Sequence, residues 1–487
     1  MKSKILETGK HTIIYGISSA FQSLIGFVLL PLLTKYYSSE EFGIYSLLIL
    51  ISTLLGAFFF FGSTSTLNRY FFESESETQK KSIVTTTFLI TLTGALIQVL
   101  LGFLLATKLS VLLTNSKSFS NHIFLIILAN AFGMLMNFNF VVLRLEKQSK
   151  GFVLVNIGSS LINLFLVYIL LVKVNLGINA PIIALLIANF LAFTFTFNIV
   201  RKYFTTTINQ ENLKEYILFG LSATLNGLTY YLLDWVDRYF IKEYSSLSDV
   251  GIYSMGYKIG MIIHVIMIIP FSMIWTTVRM QYAKDKDNSA FVTKIISYYT
   301  IIGLSLVLMT SLFAKELLMI FSGREEFIVA YKIVPIIMIA HLIYGYINIV
   351  DFGILISKKL YYFYITFLVA AILNAILNYF FIPKFGYIAS AYITLVTYIF
   401  CSVVIYLLGR KYYLIDIEYL RVFMPFIIVI AILLSFSELK LSLFHSIILK
   451  FSTVIVSIFL TYNFWLTKNE KDITNKILLQ LRYTNYK

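Results

Sequence analysis

The chain has 487 residues, of which 59% are hydrophobic and 13% charged, and its formal net charge is +15. This small number of polar side chains cannot cover a water-soluble globule of this length. The composition therefore places the chain in lipid and argues against a soluble domain of any class. The single cysteine, Cys401, excludes an internal disulfide framework and a thiolate metal site.

Fourteen apolar runs are long enough to cross a bilayer, which takes about 20 residues of helix. No stretch rich in Pro, Gly or Ser separates soluble domains, so we expect an all-α integral membrane protein. The spans are predicted at residues 13–33, 43–61, 83–105, 122–143, 152–172, 179–200, 216–241, 251–274, 295–313, 333–353, 361–381, 386–408, 422–436 and 445–466.

The first span follows a basic start and lacks a small-residue cleavage pattern, which predicts a helix that is retained. Lys and Arg are concentrated in the alternate loops that share a side with this start. Such a bias predicts that both termini face the cytoplasm. The same bias, with anionic lipid as a partner, accounts for most of the positive charge without nucleic acid.

The second and eighth spans begin with the same motif. Residues 42–46 read FGIYS and residues 250–254 read VGIYS, an offset of 208. This recurrence predicts two six-helix lobes of like orientation, residues 1–208 and 209–415, related by an internal repeat. Two extra transmembrane helices and a cytoplasmic tail are predicted at 416–487.

Ionisable residues inside the spans are few, and each is a candidate transport site because charge in hydrocarbon is costly. The seventh span carries Asp234, Asp237 and Arg238, which share one helical face. Lys258 lies about two turns inside the eighth span, and Arg69 lies at the predicted cytoplasmic end of the second. We predict that these five residues face the interior of the bundle and line a polar cavity.

Each of these residues also has a structural interpretation. Asp234 could neutralise Arg238 along one helix, or form a locking pair with Lys258. Arg69 could be ordinary inner-loop charge.

Three further ionisable residues lie in later spans. Asp351, near the end of the tenth span, could be a cation or proton site or could reach to the surface. His264 and His341 have no carboxylate at helical spacing, which favours packed core residues over proton relays.

Three segments resemble one family. Residues 32–46 (LLTKYYSSEEFGIYS), 233–259 (with LDWVDRYFI and VGIYSMGYKI) and 374–391 (NAILNYFFIPKFGYIASA) are similar to bacterial oligosaccharide flippases. These form the polysaccharide-exporting branch of the superfamily that also contains multidrug and toxin extruders.

The resemblance implies a function in the bacterial cytoplasmic membrane. A polyprenyl-diphosphate-linked oligosaccharide, such as an O-antigen or capsule repeat unit, would move from the cytoplasmic to the outer leaflet by alternating access through a central cationic cavity. The residues that would bind its diphosphate and sugar are Arg69, Asp234, Asp237, Arg238 and Lys258. A glycan polymerase and glycosyltransferases would be potential partners.

Glycine-rich phosphate loops, Cys/His metal spacings and paired catalytic carboxylates are absent from the sequence, so we expect a gradient-driven transporter without cofactor or metal rather than an enzyme. Three alternatives stay open. A multidrug antiporter of the same fold would bind an organic cation through Asp234, Asp237 and Asp351. A glycan polymerase or ligase should show a larger outer loop than residues 314–332. A peptidoglycan-precursor flippase belongs to the same superfamily.

Overall fold

The structure is a computed structural model that describes residues 16, 18, 21–22, 24–282, 289–438, 443–460, 463 and 465. Within these residues the chain is helical, and no β-strand occurs. The α-helices, in chain order, are α1 (Leu24–Tyr36), α2 (Ser39–Phe59), α3 (Ser63–Glu73), α4 (Glu77–Thr114), α5 (Ser120–Leu145), α6 (Ser149–Tyr168), α7 (Asn179–Val200), α8 (Leu213–Tyr244), α9 (Leu247–Gly260), α10 (Ile269–Tyr282), α11 (Ser289–Leu312), α12 (Ala314–Ser322), α13 (Val334–Val350), α14 (Phe352–Ile356), α15 (Tyr361–Phe385), α16 (Tyr387–Arg410), α17 (Tyr419–Glu438) and α18 (Leu443–Leu460).

Four short helical segments of other geometry adjoin these helices. Two are π-helical, Ile169–Lys173 after α6 and His264–Ile268 before α10. Two are 3₁₀-helical, Arg201–Tyr203 after α7 and Glu325–Lys332 before α13.

The helices account for the fourteen predicted spans. In the described part of the chain, 11 helical segments are long and apolar enough to cross a membrane, and α1 and α18 contain shorter apolar stretches. The seventh span corresponds to α8, whose 32 residues include the charged positions that lower its hydropathy. The all-helical, multi-pass membrane architecture expected from composition is therefore confirmed. The first part of the first predicted span lies largely outside the described residues.

A turn at the end of the second predicted span separates α2 from α3. Between α2 and α3, Phe61 and Gly62 adopt positive φ angles of 48° and 56°. A non-glycine residue rarely occupies this region, so surrounding contacts must hold the turn. At Gly62 a Cβ atom would overlap the backbone of Gly220 on α8. Close packing on α8 thus fixes this turn.

The helices pack into two compact units, each built from segments that are distant in sequence. The first contains the chain up to Lys258 with Leu318–Ile333 and Leu360–Cys401, and the second contains Ile259–Leu317, Val334–Lys359 and the chain from Ser402. The first unit holds the cluster of buried aromatic and aliphatic side chains around Phe138, Leu67 and Val142. The predicted lobe boundaries at 208 and 415 stay a prediction.

Candidate functional site: polar residues within the helical bundle

Asp237 is the centre of a buried hydrogen-bond network in the first unit. Only 1% of the residue is exposed. One carboxylate oxygen accepts hydrogen bonds from the Tyr253 hydroxyl and the Thr394 hydroxyl, each at 2.7 Å. The other accepts from the Asn378 amide at 2.9 Å. Three donors, from α9, α16 and α15, therefore form hydrogen bonds to this side chain of α8. They satisfy the buried carboxylate, which hydrocarbon could not do.

The network continues along α15. The Asn378 amide also donates to the Asn374 side chain at 2.8 Å, and the Ser390 hydroxyl donates to Asn378 at 2.9 Å. Asn374 and Asn378 are both buried. Polar residues four apart in an apolar helix share one face, and this spacing was the sequence signal that could have predicted the network.

Arg238, the next residue of α8, contacts α9 instead. Its Nε donates to the Ser254 hydroxyl at 3.2 Å. The guanidinium lies 4.6 Å from the ring centroid of Tyr257 and 5.6 Å from that of Tyr253. Cation–π contacts of this kind compensate a desolvated positive charge. Asp237 and Arg238 are thus both buried, but they contact different neighbours.

Lys258 lies near the end of α9 and is half-buried. Its Nζ is 5.6 Å from the ring centroid of Phe42 on α2. Arg238 exerts a like-charge repulsion on it. In the described part of the molecule, neither an ion pair nor a hydrogen bond neutralises the Lys258 ammonium. Asp234 lies on α8, but its side chain is outside the described residues, so the predicted pair between Asp234 and Lys258 stays a prediction.

Arg69 has a different environment. It lies on α3 and forms an i,i+4 ion pair with Glu73 at 3.2 Å, in which both side chains are about half exposed. The guanidinium also lies 4.7 Å from the Phe219 ring centroid and 5.1 Å from that of Tyr70. An exposed pair of this kind holds its partner weakly, so the arginine stays accessible to an anion.

Asp351 lies in the second unit, between α13 and α14, with 6% of the residue exposed. Its carboxylate pairs with the Arg279 guanidinium at 2.6 Å. Arg279 also donates to the backbone oxygen of Asn348, which accepts a second bond from the Trp275 indole at 2.8 Å. The one predicted ion-coupling residue is therefore engaged in a buried ion pair.

The repeated motif forms a close helix crossing in the first unit. A Cβ atom on Gly43 would overlap the carbonyl oxygen of Leu247, and one on Gly251 would overlap that of Ser39. The two contacts are equivalent under the 208-residue offset. The copies of the repeat therefore meet at their own glycines, around a local two-fold axis between α2 and α9.

Polar contacts surround this crossing. The Ser39 and Ser248 hydroxyls are 2.6 Å apart, and Glu326 accepts from the Ser39 hydroxyl at 2.7 Å and from its amide at 3.1 Å. Burial alone would raise the pKa of Glu326, but the Ser39 hydrogen bonds and the nearby Arg324 charge outweigh it and lower the pKa. Glu326 is therefore an ionised acceptor at neutral pH.

A buried lysine makes a second polar contact between helix ends. Lys242, near the end of α8, has 6% of its surface exposed. Its Nζ donates to the Asn115 side chain at 2.7 Å and to the Leu112 carbonyl at 3.0 Å, both at the end of α4. A cation stabilises the exposed carbonyls at a helix C-terminus. Nothing in the sequence distinguishes Lys242 from other basic residues at helix ends, so this contact was not predicted.

Within the described ranges, no group of three or more His, Cys, Asp or Glu side chains could hold a metal ion. The site residues brought together in the first unit are Asp237, Arg238 and Lys258. Arg69 on α3 and Asp351 in the second unit contact other residues. The assignment of all of them to substrate or ion stays a prediction.

Comparison with solved structures identifies the fold. The lipid II flippase MurJ in an inward closed conformation has a TM-score of 0.76 and 15% sequence identity, covering 92% of this chain and 99% of MurJ. An inward-facing multidrug resistance transporter of the MATE family has a TM-score of 0.65 at 13% identity, covering 81% and 94%. A MOP superfamily transporter from Pyrococcus furiosus, described as having a binding pocket of reverse polarity, has a TM-score of 0.62 at 14% identity, covering 83% and 95%.

Comparison of sequences identifies the family. A Lsg locus protein of Haemophilus influenzae is 24% identical over 154 residues, which are 30% of this chain and 38% of that relative. The family model described as polysaccharide biosynthesis protein matches residues 8–281, more than half of the chain. The resemblance drawn from the three sequence segments is confirmed: the chain belongs to the polysaccharide biosynthesis protein family and has the fold shared by MurJ and the MATE transporters.

Proposed function

We propose that the protein is a flippase that moves a polyprenyl-diphosphate-linked oligosaccharide from the cytoplasmic to the outer leaflet. Family membership supports a role in polysaccharide biosynthesis. The fold supports transport of a lipid-linked glycan, since MurJ is a lipid II flippase. The headgroup would cross through a cavity between the lobes while the polyprenyl chain stays in lipid.

The observation that carries the proposal is the environment of Lys258. Its ammonium lies within a membrane-spanning segment, against the Phe42 ring, and lacks an acidic partner in the described part of the chain. An intramembrane cation is costly and usually functional. A diphosphate would supply the missing negative charge, and Arg238 on the neighbouring helix would add to the attraction.

Two of the three carboxylates that a multidrug antiporter would use are engaged by other residues, and the side chain of the third, Asp234, lies outside the described residues. An organic cation requires an available carboxylate. Asp237 is saturated by three donors, and Asp351 is paired with Arg279. The transporter of reversed pocket polarity shows that this fold occurs with more than one charge pattern.

Replacement of Lys258 by Ala tests the proposal. A hydrogen bond to a charged group contributes about 1.5–3 kcal/mol, so we expect translocation to fall by at least about tenfold. Lys258→Arg should keep most of the activity because it keeps the charge. The measurement is translocation of a fluorescent polyprenyl-diphosphate oligosaccharide in proteoliposomes, at equal protein content.

Two controls make the result specific. Arg69→Ala should have a smaller effect, since Arg69 is about half exposed and water screens its attraction for an anion. Efflux of an organic cation should stay undetectable in every variant. Full glycan translocation by Lys258→Ala would contradict the proposed site, and efflux of a cation without glycan translocation would favour the antiporter.

A further inference from the structure

Two of the five histidines of the chain meet inside the second unit. His264 is the first residue of the π-helical segment before α10, and His341 lies on α13 with none of its surface exposed. Their ring centroids are 5.8 Å apart in a T-shaped arrangement, with an interplanar angle of 77°. They are 77 positions apart in sequence, so helical spacing could not predict the contact.

A tyrosine completes this histidine cluster. The Tyr344 ring stacks on His264, with centroids 6.4 Å apart and an interplanar angle of 28°. His341 and Tyr344 are three residues apart on α13 and share one side of that helix. His264 is therefore placed against an imidazole and a phenol ring from the same helix. His264 and Tyr344 are only half-buried, which leaves one side of the cluster open.

We propose that His264 and His341 form a proton-binding site that holds one proton for the pair, and that this proton is the coupling ion of export. The coupling rests on the flippase function proposed above, whereas the proton binding does not. The proton from water adds to a ring nitrogen of one imidazole, and no other bond changes. A second proton is disfavoured because two imidazolium charges at this distance repel strongly in a medium of low dielectric constant.

The chemistry of the cluster fits this role. Imidazole is the side chain that changes charge between pH 5 and 8 without large perturbation. A neutral imidazole offers an acceptor nitrogen, and the face of an aromatic ring attracts a cation. Two ionisable groups in contact within membrane-spanning helices favour a functional site, and π-helical turns often occur at such sites.

The other charged and titratable groups on the packed helices are engaged elsewhere. Asp351 at the end of α13 is paired with Arg279 of α10. Tyr299 of α11 packs against Phe271 and Tyr346. His264 and His341 belong to neither of these contacts.

Counting protons tests the site. The purified full-length protein is titrated from about pH 8 to pH 5.5 in weak buffer, the range in which His changes charge. The wild type should take up one proton more than His264→Gln/His341→Gln. Each single variant should still take up one proton more than the double variant, because removal of one imidazole leaves the other to bind the proton and removes only the repulsion that blocks a second one. A difference of zero between the wild type and the double variant would mean that both histidines stay neutral, and a difference of two would mean independent sites. Either result overturns the proposal.

Translocation in proteoliposomes tests the coupling. An imposed pH gradient should accelerate translocation by the wild type, by at most about tenfold per pH unit for one proton. His264→Gln/His341→Gln should translocate glycan at equal pH on both sides but lose the response to the gradient. His122→Gln, on α5 beside Phe119, should keep the response.

The outcomes separate the two claims. An unchanged gradient response in His264→Gln/His341→Gln, with the proton lost, overturns the coupling but not the site. If the wild type moves no glycan, the proposed function and the coupling are both overturned. The proton count still tests the proton-binding site by itself.

Discussion

At the scale of single residues, Asp237 and Lys258 show how surroundings decide the role of a charge. Both lie in apolar helices, and the sequence treats them alike. Asp237 receives three hydrogen bonds from three helices, so its burial stabilises the packing of α8, α9, α15 and α16. Lys258 has an aromatic ring and a like charge as neighbours. Removal of Asp237 should therefore affect folding first, and removal of Lys258 should affect transport.

Replacement of Asp237 by Ala should destabilise the protein. Three buried donors would lose their acceptor, and one unsatisfied buried group costs about 1–3 kcal/mol. We expect a loss of about 3 kcal/mol or more, seen as a large fall in the apparent Tm at a fixed scan rate. Tyr253→Phe removes one donor and leaves two, so its effect should be near 1 kcal/mol. Equal stability of Asp237→Ala and the wild type would show that the network does not hold these helices together.

At the scale of elements, the sequence predicted the membrane spans well because the bilayer imposes one simple pattern. Any helix that crosses hydrocarbon must be apolar for about 20 residues, and fourteen runs meet that condition. The conformation of the turn between α2 and α3 was not predictable, since Phe61 is an apolar residue with a positive φ angle. The π-helical turn at His264 likewise has no signature in hydropathy.

The candidate site was predictable only in part, for a related reason. Charged side chains are rare within hydrocarbon, and this identified four residues of interest, Asp237, Arg238, Lys258 and Asp351. Their partners come from helices distant in sequence, such as Arg279 for Asp351 and residues of α15 and α16 for Asp237. Spacing along one helix predicts which side chains share a face, but not which other helix that face meets.

The crossing of α2 and α9 leads us to predict opposite effects on stability for two Gly to Ala substitutions. Gly to Ala within a helix ordinarily stabilises it by up to about 1 kcal/mol. Gly158 on α6 has open space around it, so Gly158→Ala should stabilise or have little effect. At Gly43 the new methyl group would overlap the Leu247 carbonyl, so Gly43→Ala should destabilise despite the better helix propensity. The apparent Tm values of the two variants measure the difference. A stabilised Gly43→Ala protein would mean that the helices separate here at no cost.

At the scale of the whole molecule, the contacts around this crossing join the two predicted lobes. Ser39 and Asn115 belong to residues 1–208, and Ser248, Glu326 and Lys242 belong to residues 209–415. If both termini face the cytoplasm, as the loop charges predict, all of these contacts lie on the outer side of the membrane. Alternating access would require them to separate when the cavity opens outward. We therefore predict that the repeat at 42–46 and 250–254 forms the outer closure of the proposed cycle.

A disulfide across the crossing tests this assignment. The Ser39 and Ser248 hydroxyls are 2.6 Å apart, a separation compatible with a bond between cysteines at these positions. Cys401 is the only native cysteine and is buried, so Cys401→Ser gives a clean background. We expect oxidised Ser39→Cys/Ser248→Cys to lose translocation and a reductant to restore it, because the outer ends could not part while the bond is intact.

The matched control lies within one predicted lobe. The Ser63 and Thr91 hydroxyls of α3 and α4 are 2.7 Å apart, so Ser63→Cys/Thr91→Cys introduces a bond of similar geometry that spans no lobe boundary. This control should translocate glycan in both redox states. If the Ser39–Ser248 bond forms and translocation continues unchanged, the outer ends of α2 and α9 do not separate during transport. The lobes would then have to move about this crossing as a fixed pivot rather than open it.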